Sequence, residues 1–162
     1  MTIRDFLPAD APDISALIIK NLRDVNSKDY PHDTIERLVD RFTPENIIGE
    51  SSWRHIIVAE DNRTVIGTAS IGKKTIDNTA DRFVLTVFVH PAFHGRDVGT
   101  LLMREIERIA AKWCTHMLVV PASITAKSFY LKLGYRFHDG REQVTEHGTY
   151  TMTKVISHEA CT

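Results

Sequence analysis

The chain has 162 residues, a formal net charge of −1 and no apolar run long enough to cross a bilayer. This length predicts a single domain over residues 1–162, and the near-neutral charge argues against nucleic acid or an anionic membrane as a partner. No signal-like segment is present, and Cys114 and Cys161 lack metal-ligand spacing, so we expect a cytoplasmic protein with free thiols and no metal.

The first third of the chain predicts one strand followed by three helices. The strand is expected at residues 3–7, and Asp10 is placed to cap the first helix. An apolar stripe predicts a second helix over residues 35–42. Thr43 followed by Pro44 is typical of an N-cap and first helical position, which predicts a short third helix.

The rest of the chain predicts the strands of a sheet, interrupted by two helices. Predicted strands cover residues 55–60, 64–71, 82–89, 117–120, 135–137 and 148–156, with Asp61-Asn62-Arg63 as a hairpin turn and Pro121 ending the fourth of them. Predicted helices cover residues 99–112 and 123–133, the second opened by Ser123 and closed by Gly134. This order predicts an α/β (α+β) fold, a mixed sheet with helices on both faces.

The segment between the strand at 82–89 and the helix at 99–112 has the form of an anion-binding loop. It reads Val89-His90-Pro91-Ala92-Phe93-His94-Gly95-Arg96-Asp97-Val98-Gly99. Such a loop presents unpaired amides at the positive end of a helix dipole, which suits a phosphate or pyrophosphate. It is not a P-loop, because Thr100 replaces the required Lys, and it lacks the third glycine of the dinucleotide fingerprint. A loop that only caps its own helix is the alternative.

Two motifs, on two different elements, resemble those of the GNAT N-acetyltransferase superfamily. The loop resembles the family's acetyl-CoA loop, Gln/Arg-x-x-Gly-x-Gly/Ala after a Val-x-Pro strand end, with His94 in place of Gln or Arg and Asp97 in place of the first glycine. Residues 123–135 resemble the family helix Asn-x-x-Ala-x-x-Phe-Tyr-x-Lys-x-Gly-Phe, and the element order also matches. The resemblance implies a GNAT-type mixed, mainly antiparallel sheet flanked by helices.

The resemblance also implies acetyl-CoA as the cosubstrate. Its binding residues would be Val87, Phe88, Val89, His94, Gly95, Arg96, Asp97, Val98, Gly99, Thr100, Ser123, Lys127 and Tyr130. The pantetheine arm would bind backbone groups near Val87 and Val89, in a gap between the strands that end at Val89 and Val120. The pyrophosphate would bind the amides of residues 94–100. We expect Asp97 to keep the left-handed backbone of the glycine it replaces, while its charge weakens acetyl-CoA binding.

Two residues are candidates for catalysis. Tyr130 matches the family tyrosine whose phenol protonates or stabilises the leaving CoA thiolate; a tyrosine that only packs is the alternative. His90 is a candidate base through water because its usual pKa suits neutral pH, although an incidental loop histidine would look the same. No nucleophilic Cys or Ser constellation is present, which favours direct attack by the amine in a ternary complex.

The sequence gives the least information about the site of the acceptor amine. By family geometry it includes Asp29 and Tyr30, which offer a charge and a ring to an ammonium group; a plain turn before a helix is the alternative. The predicted function is an N-acetyltransferase acting on a primary amine of a small molecule or peptide, and a homodimer is compatible with it. The alternatives are a catalytically weak acyl-CoA-binding or regulatory protein of the same fold and a nucleotide-phosphate-binding α/β protein.

Overall fold

One mixed sheet organises the chain. The computed structural model describes residues 1–157 and 161, and within them the sheet has seven strands in the order β1-β2-β3-β4-β5-β7-β6. The strands are β1 (Thr2–Asp5), β2 (Arg54–Asp61), β3 (Thr64–Gly72), β4 (Arg82–Val89), β5 (Met117–Ser123), β6 (Arg136–Phe137) and β7 (Thr149–Val155). All neighbouring pairs are antiparallel except β4 and β5.

Helices cover both faces of this sheet, as the sequence predicted. They are α1 (Ala11–Asp24), α2 (His32–Arg41), α3 (Pro44–Glu50), α4 (Val98–Lys112) and α5 (Lys127–Lys132). Side chains alternate along a strand, so neighbouring residues of β2 enter different cores. Ile56 packs in a core with α1, α2 and α3, whereas Ile57 packs in a core with α4. The mixed, mainly antiparallel sheet with helices on both faces is therefore confirmed.

Two features of the first half of the chain, a hairpin turn and a helix N-cap, were predicted correctly from local sequence. Asn62 and Arg63 both have positive φ, 48° and 63°, which is the geometry of a type I′ turn between antiparallel strands. Thr43 caps α3, since its Oγ1 accepts a hydrogen bond from the Asn46 amide at 3.2 Å. The hairpin and the third helix are confirmed.

The structure corrects two predicted boundaries in the first segment. Asp10 does not cap α1 through its side chain, because that carboxylate accepts hydrogen bonds from the Leu7 amide (2.8 Å) and from the Arg4 guanidinium. The first strand is Thr2–Asp5 rather than residues 3–7, since its pairing with β2 ends at Asp5, and a 3₁₀ turn follows at Pro8–Asp10.

Two further corrections concern the strand and helix around residue 123. β5 passes through Pro121 and ends at Ser123, because β4 no longer pairs with β5 there, and a strand with a free edge tolerates a residue that has no amide hydrogen. Ser123 does not open the following helix directly. Its Oγ accepts a hydrogen bond from the Ala126 amide at 3.1 Å in a turn, and α5 begins at Lys127.

The expectation of free thiols was wrong. Cys114 and Cys161 form a disulfide across a sequence separation of 47 residues, with their Cα atoms 5.6 Å apart. Cys114 lies just beyond α4 with a φ of 54°. The bond therefore ties residue 161 to the C-terminal end of that helix.

Residues 1–157 and 161 contain neither a membrane-spanning helix nor a metal-binding cluster. No helix in that part of the chain is both long and apolar enough to cross a membrane. No group of three or more His, Cys, Asp or Glu side chains in it is arranged to hold a metal ion.

Candidate active site

A cleft opens where β4 and β5 separate. The two parallel strands pair only at Arg82 with Leu118 and at Phe83 with Val119. Beyond that point β5 stays paired with β7 along its whole length, while β4 diverges. The resulting cavity has a volume of about 560 Å³, which is in the size range of small-molecule and cofactor sites.

Most of the predicted cofactor residues line this cavity. They are Val87, Phe88, Val89, His94, Gly95, Asp97, Val98, Gly99, Thr100, Ser123 and Tyr130. The sequence motifs on β4, α4 and α5 therefore meet at one place in the fold.

A β-bulge turns β4 away from its neighbour. Ser70 of β3 pairs with Leu85 and Thr68 pairs with Phe88, so two residues of β4 lie opposite one residue of β3. The first of these two, Thr86, has a φ of 56° and lines the cavity. A bulge bends its strand and increases the local twist, which accounts for the early loss of pairing between β4 and β5.

The loop before α4 presents a run of unpaired amides. Gly95 and Asp97 both have positive φ, 75° and 61°, so the expected left-handed backbone at Asp97 is confirmed. Within the described part of the chain the amides of residues 95–100 donate to no acceptor, and Leu101 is the first to donate, to the Asp97 carbonyl at 3.0 Å. Consecutive free amides at a helix start form an anion-binding nest, and these residues fit a pyrophosphate.

Gly99 allows α4 to approach α5 closely. A Cβ at this position would lie 3.1 Å from two ring atoms of Phe129, a contact that is tighter than ordinary packing. Phe129 in turn packs edge-on against Tyr130, with ring centroids 5.1 Å apart. The absence of a side chain at Gly99 therefore lets Phe129, and with it Tyr130, lie close to the start of α4.

Tyr130 is buried at the wall of the cavity. The residue is only 5% exposed, and its ring also packs edge-on against Tyr135. Burial raises the pKa of its phenol well above the usual 10, so the hydroxyl remains protonated at neutral pH. No other side chain of the described residues bonds to it, and the hydroxyl is therefore free to donate a hydrogen bond to a ligand in the cavity.

The end of β4 is fixed by two side chains. The Val89 carbonyl accepts a hydrogen bond from Nδ2 of Asn21 and one from Nε2 of His94, both at 2.8 Å. A carbonyl can only accept, so His94 carries its proton on Nε2. Asn21 was not among the predicted site residues, although a polar residue between Ile18 and Leu22 on the apolar face of α1 could have indicated it.

Five of the predicted site residues lie outside the cavity lining. They are His90, Arg96, Lys127, Asp29 and Tyr30. Nδ1 of His90 accepts a hydrogen bond from the Ala92 amide at 3.1 Å, so this nitrogen caps the short 3₁₀ helix that follows. The Arg96 guanidinium lies 5.3 Å from the centre of the Phe93 ring, and Lys127 pairs with Glu142 at 2.6 Å.

The two predicted acceptor residues bond to other parts of the chain. Asp29 Oδ2 accepts a hydrogen bond from the Thr125 hydroxyl at 2.8 Å, and the Tyr30 hydroxyl accepts one from the Ile124 amide. Thr125 itself lines the cavity, as does the buried Asn26. The segment before α2 is therefore held against the end of β5, beside the cleft rather than inside it.

A family model connects this geometry to known proteins. The model described as acetyltransferase (GNAT) domain matches residues 52–137, slightly more than half of the chain. The matched range contains the bulged β4, the amide loop, α4 and α5. No curated protein sequence matches the chain.

Solved structures share the same fold over nearly the whole chain. PaiA N-acetyltransferase from Thermoplasma acidophilum, in complex with coenzyme A, is 18% identical with a TM-score of 0.80, covering 95% of this chain and 98% of that one. A GCN5-related N-acetyltransferase from Rhodopseudomonas palustris is 25% identical with a TM-score of 0.79, covering 95% and 94%. YncA, a putative acetyltransferase from Salmonella typhimurium with its cofactor acetyl-CoA, is 21% identical with a TM-score of 0.66, covering 100% and 97%.

Proposed function

The chain belongs to the GNAT acetyltransferase family, and on that premise we propose that it transfers an acetyl group from acetyl-CoA to a primary amine by direct attack in a ternary complex. The observation that carries the proposal is that five residues with unpaired amides, Gly95 and residues 97–100, line the same cavity as Tyr130. The amides suit the pyrophosphate of acetyl-CoA. The phenol suits its thioester end.

The proposed chemistry assigns Tyr130 to the leaving group. The amine nitrogen attacks the thioester carbonyl carbon, a C–N bond forms, and the C–S bond breaks with its electron pair on sulfur. The thiolate that leaves accepts a hydrogen bond from the phenol and takes its proton. The new amide nitrogen releases its remaining extra proton to water, and the phenolate regains a proton from water. Because burial raises the pKa of Tyr130, the proton is present throughout the neutral pH range.

The amine must lose a proton before it attacks, because an unperturbed alkylamine has a pKa of about 10. Beside Tyr130, the titratable side chains among the described lining residues are His94, Asp97 and Lys132. Nε2 of His94 already donates to the Val89 carbonyl, and Asp97 lies at the amide loop. We therefore propose that the acceptor loses its proton to water, or through water to His90.

The test is CoA release, measured by thiol detection, with acetyl-CoA and a broad amine panel. We expect turnover by the wild-type chain and a loss of about 100-fold in kcat for Tyr130→Phe, the usual range for a general acid, with CoA affinity unchanged. Tyr135→Phe is the matched control, because its buried phenol donates to Glu107 instead. Equal kcat values for the wild-type chain and Tyr130→Phe would rule out this role for the phenol.

An acyl-CoA-binding or regulatory protein with little catalysis is the second candidate. Asp97 favours it, because a carboxylate beside a pyrophosphate is repulsive. Tight binding of acetyl-CoA in calorimetry without turnover on any amine would support this second candidate function. A chain that binds no CoA would contradict both.

A further inference from the structure

A buried arginine lies directly behind the bulge of β4. Arg54, the first residue of β2, is 5% exposed. Its Nη1 donates to the Thr86 hydroxyl and, at 3.3 Å, to the Ser70 hydroxyl, while its Nη2 pairs with the Glu50 carboxylate. We call Arg54, Ser70 and Thr86 the bulge cluster.

The burial of this guanidinium is unfavourable in itself. Within the described residues its Nε has no hydrogen-bond partner, and removing a charge from water is offset only when its donors are fully paired. The ion pair with Glu50 alone does not require such a site, since Glu50 is partly exposed and would pair equally well at the surface. The buried position instead brings the guanidinium to the Thr86 hydroxyl.

Thr86 is the residue that needs such a contact. Its φ of 56° lies in the left-handed region, where a β-branched side chain is a strong outlier. Of the described non-glycine residues with positive φ, most are polar turn residues such as Asn62 and Asp97, whereas Thr86 lies inside a strand. A conformation of this kind persists only where neighbouring groups hold it in place.

The bulge cluster supplies hydrogen bonds at the strained residue and just before it. Arg54 holds the Thr86 side chain, and the Ser70 hydroxyl donates to the Leu85 carbonyl at 2.7 Å. The carbonyl just before the bulge and the side chain at the bulge are thus both satisfied. An extended backbone carries no such cost for a β-branched residue, so these bonds favour the bulged conformation over an extended one.

We propose that Arg54 is a positioning residue for the acetyl-CoA site, whose guanidinium keeps Thr86 in the left-handed bulge that separates β4 from β5. The inference rests on the proposed function, since it names the cleft as the binding site of the cosubstrate. Arg54 acts through Thr86, which lines the cavity, and is itself outside the lining.

The test is the affinity for CoA, measured by isothermal titration calorimetry without any need for turnover. We expect Arg54→Met to raise the Kd for CoA about tenfold, which corresponds to the net free-energy contribution of about one hydrogen bond. In the Thr86→Gly background the same substitution should raise it less than about twofold, because glycine adopts positive φ without help. This coupling distinguishes positioning from a general loss of stability.

Two additional variants complete the design. Arg4→Met breaks an ion-pair network of β1 with Asp10 and Glu60, so it should lower the Tm while leaving the Kd for CoA unchanged. Arg54→Lys keeps the charge opposite Glu50 and replaces Arg54→Met if that variant does not fold; it should also weaken binding, and by less in the Thr86→Gly background.

The outcomes separate the two proposals. A wild-type chain that binds no CoA would overturn the proposed function and this inference with it. Wild-type binding together with an unchanged Kd in folded Arg54→Met and Arg54→Lys would overturn this inference alone. An equal loss of affinity in the Thr86 and Thr86→Gly backgrounds would also overturn it.

Discussion

Tyr30 and Gly148 are joined by a hydrogen bond across 118 residues of sequence, from the Tyr30 hydroxyl to the Gly148 carbonyl at 2.6 Å. The same hydroxyl accepts a hydrogen bond from the Ile124 amide at 2.8 Å. Gly148 has a φ of 76°, and a Cβ there would lie 3.3 Å from the Tyr30 ring. One phenol therefore fastens the segment before α2 to the end of β5 and the start of β7, beside the cleft.

Tyr30→Phe should loosen this junction. The substitution leaves a partly buried carbonyl and amide without their partner, so we expect the free energy of unfolding to fall by about 1–3 kcal/mol. Urea denaturation measures it. Tyr150→Phe is the control, since that hydroxyl makes no hydrogen bond within residues 1–157 and 161, and the change there should be within about 0.5 kcal/mol. An effect of Tyr30→Phe as small as that of Tyr150→Phe would show that the junction contributes nothing.

Much of the site could be predicted because its signals are local. The loop from Gly95 to Gly99 and the helix with Tyr130 each carry their information within a few neighbouring residues. The left-handed backbone of Asp97 followed from the motif glycine that it replaces and from the tolerance of Asp for that conformation. Turn and cap chemistry likewise fixed the hairpin at Asn62 and the start of α3.

The parts that could not be predicted depend on contacts between distant residues. Arg54 reaches Thr86, 32 residues further along the chain, and nothing in the sequence around Arg54 marks it as more than a strand residue. The disulfide joins Cys114 to Cys161 over 47 residues, with no spacing rule to indicate it. Pro121 stays inside β5 only because the neighbouring strand has moved away, which is a property of the sheet.

Gly99→Ala should disturb both stability and binding. The new Cβ would lie 3.1 Å from the Phe129 ring, and overpacking of this kind costs about 1–3 kcal/mol. Because the ring of Phe129 packs on Tyr130, we also expect weaker CoA binding and a lower kcat. Thermal unfolding and calorimetry check the two effects.

The matched control for Gly99→Ala is Gly49→Ala. Gly49 lies in α3, and a Cβ there would have no atom within 4 Å. Replacement of a helical glycine by alanine should leave stability unchanged or raise it by up to about 1 kcal/mol. An effect of Gly99→Ala on stability as small as that of Gly49→Ala would show that α5 moves to accommodate the added methyl group without measurable cost.

Asp97→Gly should tighten the binding of acetyl-CoA. The glycine keeps the left-handed backbone at no steric cost, while the loss of the carboxylate removes its repulsion from a pyrophosphate. We expect the Kd to fall about threefold to tenfold, and Asp97→Asn to show most of this gain. Asp139, which is also left-handed with a φ of 53° and lies outside the cavity, provides the control: Asp139→Gly should leave the Kd unchanged. An unchanged or higher Kd in Asp97→Gly would show that the Asp97 carboxylate does not weaken acetyl-CoA binding.

Asp10 should make the stability of the fold depend on acid pH. Hydrogen bonds from the Arg4 guanidinium, at 2.8 and 2.9 Å, hold the pKa of its carboxyl below the usual value, with a smaller contribution from the Leu7 amide. A carboxyl whose pKa is lower in the folded state adds stability above its unfolded pKa of about 3.9. That stability is lost as the pH falls through the folded pKa.

Asp10→Asn should therefore lower the free energy of unfolding by about 2 kcal/mol at pH near 7, and the difference from wild type should shrink below pH about 4. Urea denaturation at the two pH values measures this difference, with the exposed Asp40→Asn as the control expected to show none. A difference that stays constant with pH would mean that the Asp10 carboxylate is not stabilised by its charge.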